Sequence, residues 1–385
     1  MTGGFLANKL GGKRVIMFVL SSASLINALV PWVAQVHVYF LVALRIIDGM
    51  GQGSSNPSVY VLIGKWTSPD ERSTMLSIVY TGSSVGFILS SFLSSWICST
   101  DTVGGWPTLF YLYSILGAIL TIAWGTNIHE NPHQSDGVSD EEIEHFESPA
   151  SHKENISSIP WFDIITSWAV WANVIAYFTY VFGYLVIIIE TPTYLSTVLQ
   201  VSVKHVGIFM SIICFVQIII GLLAGVSADY IIQSKYLSVQ NTRKLFMFLS
   251  LGITSGCFVG QYYVGHNVFA VEVLFAVGFG ACGFQFGGTL VNVMDIAERY
   301  SGIIIGFMYT ISSIGGFFST IIVGRLTNNQ NTHKQWSVVF LICTGIQLFG
   351  MVIFLVFAKG EQQEWSIRST NKTSKKNGEK TKLLE

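Results

Sequence analysis

Along this chain the apolar residues come in long runs separated by short clusters of charge, without the strict alternation that marks a half-buried strand. Each run is about 20 residues long, enough for a helix to cross a hydrocarbon core of ~30 Å and about twice what a barrel strand needs. Ten runs are predicted as spanning helices, near 15–34, 38–63, 74–98, 107–126, 168–190, 205–226, 245–264, 268–292, 302–324 and 336–358. The expected fold class is an all-α membrane protein, a bundle with lipid as its solvent.

Composition agrees with the pattern. Hydrophobic residues make up 51% of the 385 and charged residues 11%, too little charge for a water-facing surface. The net charge of −1 conceals an acidic stretch from Asp140 through Glu147 and a basic tail from Lys372 to Lys382. That distribution excludes a nucleic-acid partner. Cys98, Cys214, Cys257, Cys282 and Cys343 fall in or beside apolar runs without metal or disulfide spacing, and are expected as small core residues. Neither a nucleophile with its base, nor a metal cluster, nor a phosphate loop is present, so no cofactor and no enzymatic activity are expected.

The short breaks are basic: Lys9, Lys13 and Arg14; Lys65 and Arg72; Lys235, Arg243 and Lys244. With an even number of crossings, they predict that both termini are cytoplasmic. The Pro-containing stretch 127–165 reads as a cytoplasmic linker between a helical half, 1–126, and a second half, 166–358, followed by a cytoplasmic tail, 359–385. The sequons at Asn155 and Asn371 then face the cytoplasm and should stay unglycosylated.

An internal repeat supports the two halves. Gly4 to Asn8 followed by Lys13-Arg14 recurs as Gly225 to Asp229 followed by Arg243-Lys244, and Glu71-Arg72-Ser73 recurs as Glu298-Arg299-Tyr300, both a little over 220 residues on. This resembles the parallel repeat of major facilitator transporters. Two predicted spans precede the motif in the second half and none in the first, so the first half is expected to lack its opening helix pair: ten helices of an expected twelve.

Several residues carry candidate chemistry. In Gly4 to Arg14 a tight glycine turn would bring basic residues against neighbouring helix ends as a conformational latch. Asn8 stands where Asp229 stands in the second repeat, which weakens the first latch. Lys13, Arg14, Glu71, Arg72, Asp229, Arg243, Asp295 and Arg299 are the candidate cytoplasmic gate; solvated positive-inside loops are the plainer reading. Within the apolar runs, Arg45, Asp48 and Gln52 share one helical face among Gly49, Gly51 and Gly53, a candidate transport path, against the alternative of a self-contained ion pair. Tyr180 and Tyr184 lie one turn apart, and Asn292 closes the glycine-rich stretch from Gly278 to Gly288; these three are candidate substrate contacts, with core packing as the alternative.

Six further motifs match a known family. These are Arg45-Ile-Ile-Asp-Gly-Met-Gly-Gln-Gly53 with Pro57, Trp66-x-x-Pro69-x-Glu-Arg-Ser73, Gly105-Trp-Pro107, Thr191-Pro-Thr-Tyr194, Asn292-x-x-Asp-Ile-Ala297 with Arg299-Tyr300 and Gly302, and Gly360-Glu-x-Gln363-x-Trp365. Over residues 3 to 366 the chain resembles the anion:cation symporters, solute carrier family seventeen, which includes sialin, the vesicular glutamate transporters and the sodium-phosphate cotransporters. The resemblance places residue 3 between the family's second and third helices. It implies that Arg45 is the fourth-helix arginine and that Asp48 is the first of two acids found there in sialin-like members. Gln52 replaces the second, proton-coupling acid, and an amide cannot carry that proton. Tyr180 matches sialin rather than the vesicular glutamate transporters, which have arginine there; Tyr60 replaces a customary histidine.

The resemblance implies transport of a small organic anion of the sialic acid or acidic amino acid type by alternating access. Arg45 would hold the anion, Asp48 would be the titratable partner, and Tyr180 and Asn292 would line the opposite wall, with a proton or sodium ion as the co-transported species or with uniport or exchange instead. The rival expectation is a non-transporting membrane protein that associates with or regulates a full-length relative. Glu379, Leu383 and Leu384 form an acidic dileucine pattern, which points to lysosomal or endosomal membranes; a merely solvated basic tail is the plainer reading, and with it the plasma membrane stays open.

Overall fold

The computed structural model describes residues 2–68, 71–99, 105–135, 138 and 139, 159–327 and 332–366, and no strand occurs among them. Two compact units are present: Met1–Ser68, Val85–Ile156 and Arg299–Gly306 form unit 1, and Pro69–Ser84, Ser157–Glu298 and Phe307–Glu385 form unit 2.

The chain enters through α1 (Thr2–Leu10) and α2 (Gly12–Val36). The single residue between them, Gly11, has φ 93°, a conformation in which a Cβ would be strained. α2 buries Val15, Val19, Ile26 and Val30, four or seven residues apart and so along one stripe, with Ile16 beside it. α3 (Val38–Gln52), α4 (Ser55–Trp66) and α6 (Trp106–Asn127) pack on α2. The outward surface stays apolar: Phe18 is 68% exposed and Ile122 67%. Lipid, not water, satisfies such a surface.

The predicted span 38–63 is not one helix. It breaks at Gly53–Ser54 into α3 of 15 residues and α4 of 12, each short of the length that crosses a bilayer. Pro57 has no N–H to give the preceding turn and its ring opposes the carbonyl four residues back, in a stretch already loosened by Gly49, Gly51 and Gly53. Eight helical stretches among the described residues are long and apolar enough to span. They account for the other nine predicted runs, because Val268–Thr327 is a single stretch of 60 residues that holds two of them.

α5 (Arg72–Ser99) begins in unit 2 and continues in unit 1. Unit 2 further comprises α7 (Trp161–Thr166), α8 (Trp168–Leu185), α9 (Thr191–Thr197), α10 (Val203–Gln233), α11 (Val239–Val264), α12 (Val268–Ala281), α13 (Thr289–Ala297), most of α14 (Ser301–Thr327), and α15 (His333–Phe357). α11 packs on α12 and α15, α15 on α8, and α10 on α12. The predicted run 168–190 continues to Thr197, because a π turn at Val186–Glu190 accommodates the missing donor of Pro192 without ending the helix. One end of the bundle is locked by rings: Tyr194 meets Trp336 at 5.1 Å and Phe340 at 5.4 Å, and Phe340 stacks on Phe258 at 5.9 Å.

Candidate functional site

In unit 1, Arg45 and Asp48 lie one turn apart on α3, with Nη1 of Arg45 3.2 Å from Oδ2 of Asp48. The aspartate side chain is 7% exposed and the arginine side chain 41%. The arginine also lies over the ring of Phe110, 5.3 Å from its centroid, where the π face favours a cation. A guanidinium carries five donors, and among the described residues only Asp48 accepts a hydrogen bond from it. Gln52, the last residue of α3, is exposed at the helix break and is not part of this pair.

In unit 2, the spacing of Tyr177, Tyr180 and Tyr184 puts three rings on one face of α8. Tyr177 stacks on Tyr180 at 5.6 Å, Tyr180 on Tyr184 at 5.7 Å, and Tyr184 on Phe279 of α12 at 5.2 Å. Tyr309 of α14 joins at 5.0 Å from Tyr177, and its hydroxyl is 3.1 Å from that of Tyr80 on α5. Asn292 is fully buried on α13; its Nδ2 donates to Oδ1 of Asn173 on α8 at 3.2 Å, while its own Oδ1 has no partner. Structure therefore brings Tyr180 and Tyr184 into one aromatic column and sets Asn292 in a separate amide pair. A cavity of about 390 Å³ in unit 2 is lined by apolar and aromatic residues with Thr179 as its one hydroxyl, which offers little to hold an anion.

Charged residues gather at the start of α5. Asp229, near the end of α10, accepts the backbone N–H of Ser73 at 3.3 Å and of Thr74 at 2.7 Å. Arg243 of α11 is 1% exposed; its Nε donates to Asp295 at 2.7 Å, and its Nη1 to Ser73 Oγ at 2.7 Å and to the carbonyl of Gly287 at 3.2 Å. Arg72, also buried, meets Glu298 at 2.6 Å. At Gly225 a Cβ would come within 2.7 Å of the Ser73 carbonyl, so the repeat glycine lets α10 approach α5 closely.

The first repeat is built differently. Asn8 lies beside the start of α14, with Oδ1 3.7 Å from where a Cβ on Gly302 would stand, and its Nδ2 is buried without a partner. Lys13 contributes its backbone, not its ammonium: the N–H groups of Gly12 and Lys13 donate to Glu130 at 3.1 and 2.8 Å. Glu130 also pairs with Lys65. Arg14 is exposed, and Glu71 and Arg299 are half-buried. The sorting residues Glu379, Leu383 and Leu384 lie outside the described residues, as do both sequons.

Sequence reasoning passed over Glu130, Asn173, Tyr80, Tyr177 and Tyr309, and named Ser73 only as part of a motif. Tyr177 was findable, since it continues the Tyr180 and Tyr184 spacing by one turn. Glu130 is an acid at the first turn beyond a long apolar run, which also marks a helix-end partner. Asn173, Tyr80 and Tyr309 carry no local signal.

Over residues 1–320 the chain matches the family model of the Major Facilitator Superfamily. It is 30% identical over 371 residues to a Caenorhabditis elegans protein described as uncharacterized transporter slc-17.2, covering 94% of this chain and 75% of that one. Sialin of Ovis aries is 30% identical over 370 residues, with 95% and 73% covered. Among solved structures, the proton:xylose symporter XylE superposes with a TM-score of 0.71 at 15% identity, over 94% of this chain and 83% of that one. That identity supports the fold alone.

Proposed function

Because the chain belongs to the major facilitator superfamily, and within it to solute carrier family seventeen, we propose that the anion:cation symporter chemistry of that family applies: this multi-pass membrane transporter carries small organic anions. The substrates we favour carry a carboxylate on a polar body, such as sialic acid or an acidic amino acid, and move by alternating access. The observation that carries this reading is Arg45. A charge within an apolar helix costs several kcal/mol unless it has a use, and this one keeps most of its donors uncommitted beside a buried carboxylate. A planar fork of that kind pairs with a carboxylate bidentately.

Tyr180, Tyr184 and Asn292 are the proposed contacts in unit 2. Tyrosine hydroxyls and an amide with a free Oδ1 supply neutral donors and acceptors for the hydroxyl and amide groups of such a substrate. Asp48 is the proposed coupling acid, with a proton or sodium ion as co-substrate. Lys13, Arg14, Glu71, Arg72, Asp229, Arg243, Asp295 and Arg299 are proposed to stabilise one conformation of the cycle at the cytoplasmic side, and Glu379, Leu383 and Leu384 to direct the protein to lysosomal or endosomal membranes.

Uptake of labelled sialic acid and glutamate into proteoliposomes tests the central residue. Arg45→Ala should abolish uptake and Arg45→Lys should retain a fraction of it, since a single ammonium keeps the charge and loses the fork. Full uptake by Arg45→Ala would remove this arginine from the site, and absence of uptake by the unaltered chain for every anion tried would defeat the reading itself.

A further inference from the structure

We propose that a basic cleft at the N-terminal end of α2 binds the phosphate headgroup of an anionic phospholipid. The cleft has a volume of about 590 Å³, and its charged lining is Lys9, Lys13, Arg14 and Lys65 against a single acid, Glu130. Glu130 is already engaged. Its carboxylate takes the N–H groups of Gly12 and Lys13 and the ammonium of Lys65, so it both caps α2 and neutralises Lys65. The side chains of Lys9, Lys13 and Arg14 have no carboxylate partner among the described residues; Lys9 lies over the ring of Phe5 at 6.0 Å. Three cations that share one cleft repel each other, and an anion between them removes that repulsion.

The surroundings favour a lipid over a soluble phosphate. Met17 lines the cleft beside Arg14, and one turn beyond Arg14 the surface becomes apolar and exposed at Phe18, then Leu25 on the same helix and Ile122 on the neighbouring α6. Basic side chains followed directly by an uncovered apolar strip suit a ligand with a phosphate at one end and acyl chains at the other. A free phosphate would leave the strip unused. This site does not depend on the identity of the transported anion.

Binding is read on the purified full chain by native mass spectrometry and by thermal unfolding in nanodiscs of phosphatidylcholine, alone or doped with phosphatidylinositol 4-phosphate. Retention of the phosphoinositide and a raised unfolding midpoint over phosphatidylcholine alone are expected. Each neutralised cation should weaken binding about fivefold, so that Lys9→Gln/Lys13→Gln/Arg14→Gln loses on the order of 100-fold. Lys9→Arg/Lys13→Arg should bind normally, and Lys235→Gln/Lys359→Gln, which lies outside the cleft, should change nothing. If the triple variant cannot be purified, Arg14→Gln alone, on an exposed side chain, should show the single fivefold loss. Unchanged retention by the triple or single variant, an equal loss in the Lys235→Gln/Lys359→Gln control, or equal stabilisation by pure phosphatidylcholine overturns the proposal. Stabilisation by soluble inositol bisphosphate as large as that by the lipid overturns the lipid assignment.

Discussion

The carboxylate of Asp229 receives the backbone N–H of Thr74 at 2.7 Å, closing the first turn of α5 from a side chain 155 residues further along the chain. A helix N-terminus carries roughly half a positive charge on unbonded N–H groups, so an anion there satisfies both hydrogen bonding and the dipole. Asn8, its counterpart in the first repeat, sits against the start of α14 with an amide that supplies no charge.

Asp229→Asn should lower the midpoint of thermal unfolding in detergent by an amount corresponding to about 0.5–2 kcal/mol, the usual worth of an N-terminal cap. Asn8→Asp should raise it, by about 0.3–1 kcal/mol from the dipole. Opposite shifts from mirrored substitutions are the signature; an unmoved midpoint in Asp229→Asn would show that the cap contributes no stability.

Arg243 and Asp295 form a buried pair, 1% and 8% exposed. Removing one partner strands a charge in a low-dielectric site, so Arg243→Met should destabilise by about 3–5 kcal/mol. Arg243→Met/Asp295→Leu should recover much of that loss, since a buried pair is often replaceable by packed apolar groups. If the double variant unfolds as early as the single, the cost lies in lost packing or in the Ser73 and Gly287 contacts, not in the unpaired aspartate.

Gln52→Glu introduces a titratable group one turn beyond Asp48. Uptake by this variant should rise as external pH falls from ~7.5 towards ~5, because the new carboxyl gains its proton in that direction, from an ordinary value near ~4.3. The unaltered chain should respond less steeply over the same range. Identical profiles for the two chains would remove position 52 from coupling.

Tyr180→Phe keeps the ring in its column and deletes only the hydroxyl. The unfolding midpoint should stay within the range of a neutral substitution, about 0.5 kcal/mol, while KM rises roughly fivefold, the worth of about one hydrogen bond. Asn292→Ala should impair both, because it also strands the Oδ1 of Asn173. A Tyr180→Phe variant with unchanged KM and kcat would return this tyrosine to a packing role.

Nine of the ten spans were legible because hydropathy is a local property: twenty apolar residues state their solvent wherever the rest of the chain goes. The tenth, 38–63, is helical as well but interrupted at Gly53–Ser54, a break beside Pro57 that apolar character conceals. The candidate residues on α3 were legible for the same local reason, since Arg45 and Asp48 are neighbours on one turn. Gln52 was not separable from them by spacing, as only the end of the helix sets it apart.

The alternation of lipid-length runs and basic breaks determined the helical membrane bundle and the clusters of charge at helix ends. Which charge meets which was decided by tertiary structure: Arg72 takes Glu298, Arg243 takes Asp295, and Glu130 closes α2 while holding Lys65. The reason is that a span is specified by the residues within it. A partner is specified by the packing of helices far apart in sequence, and every acid near a basic helix end competes on equal terms until that packing selects one.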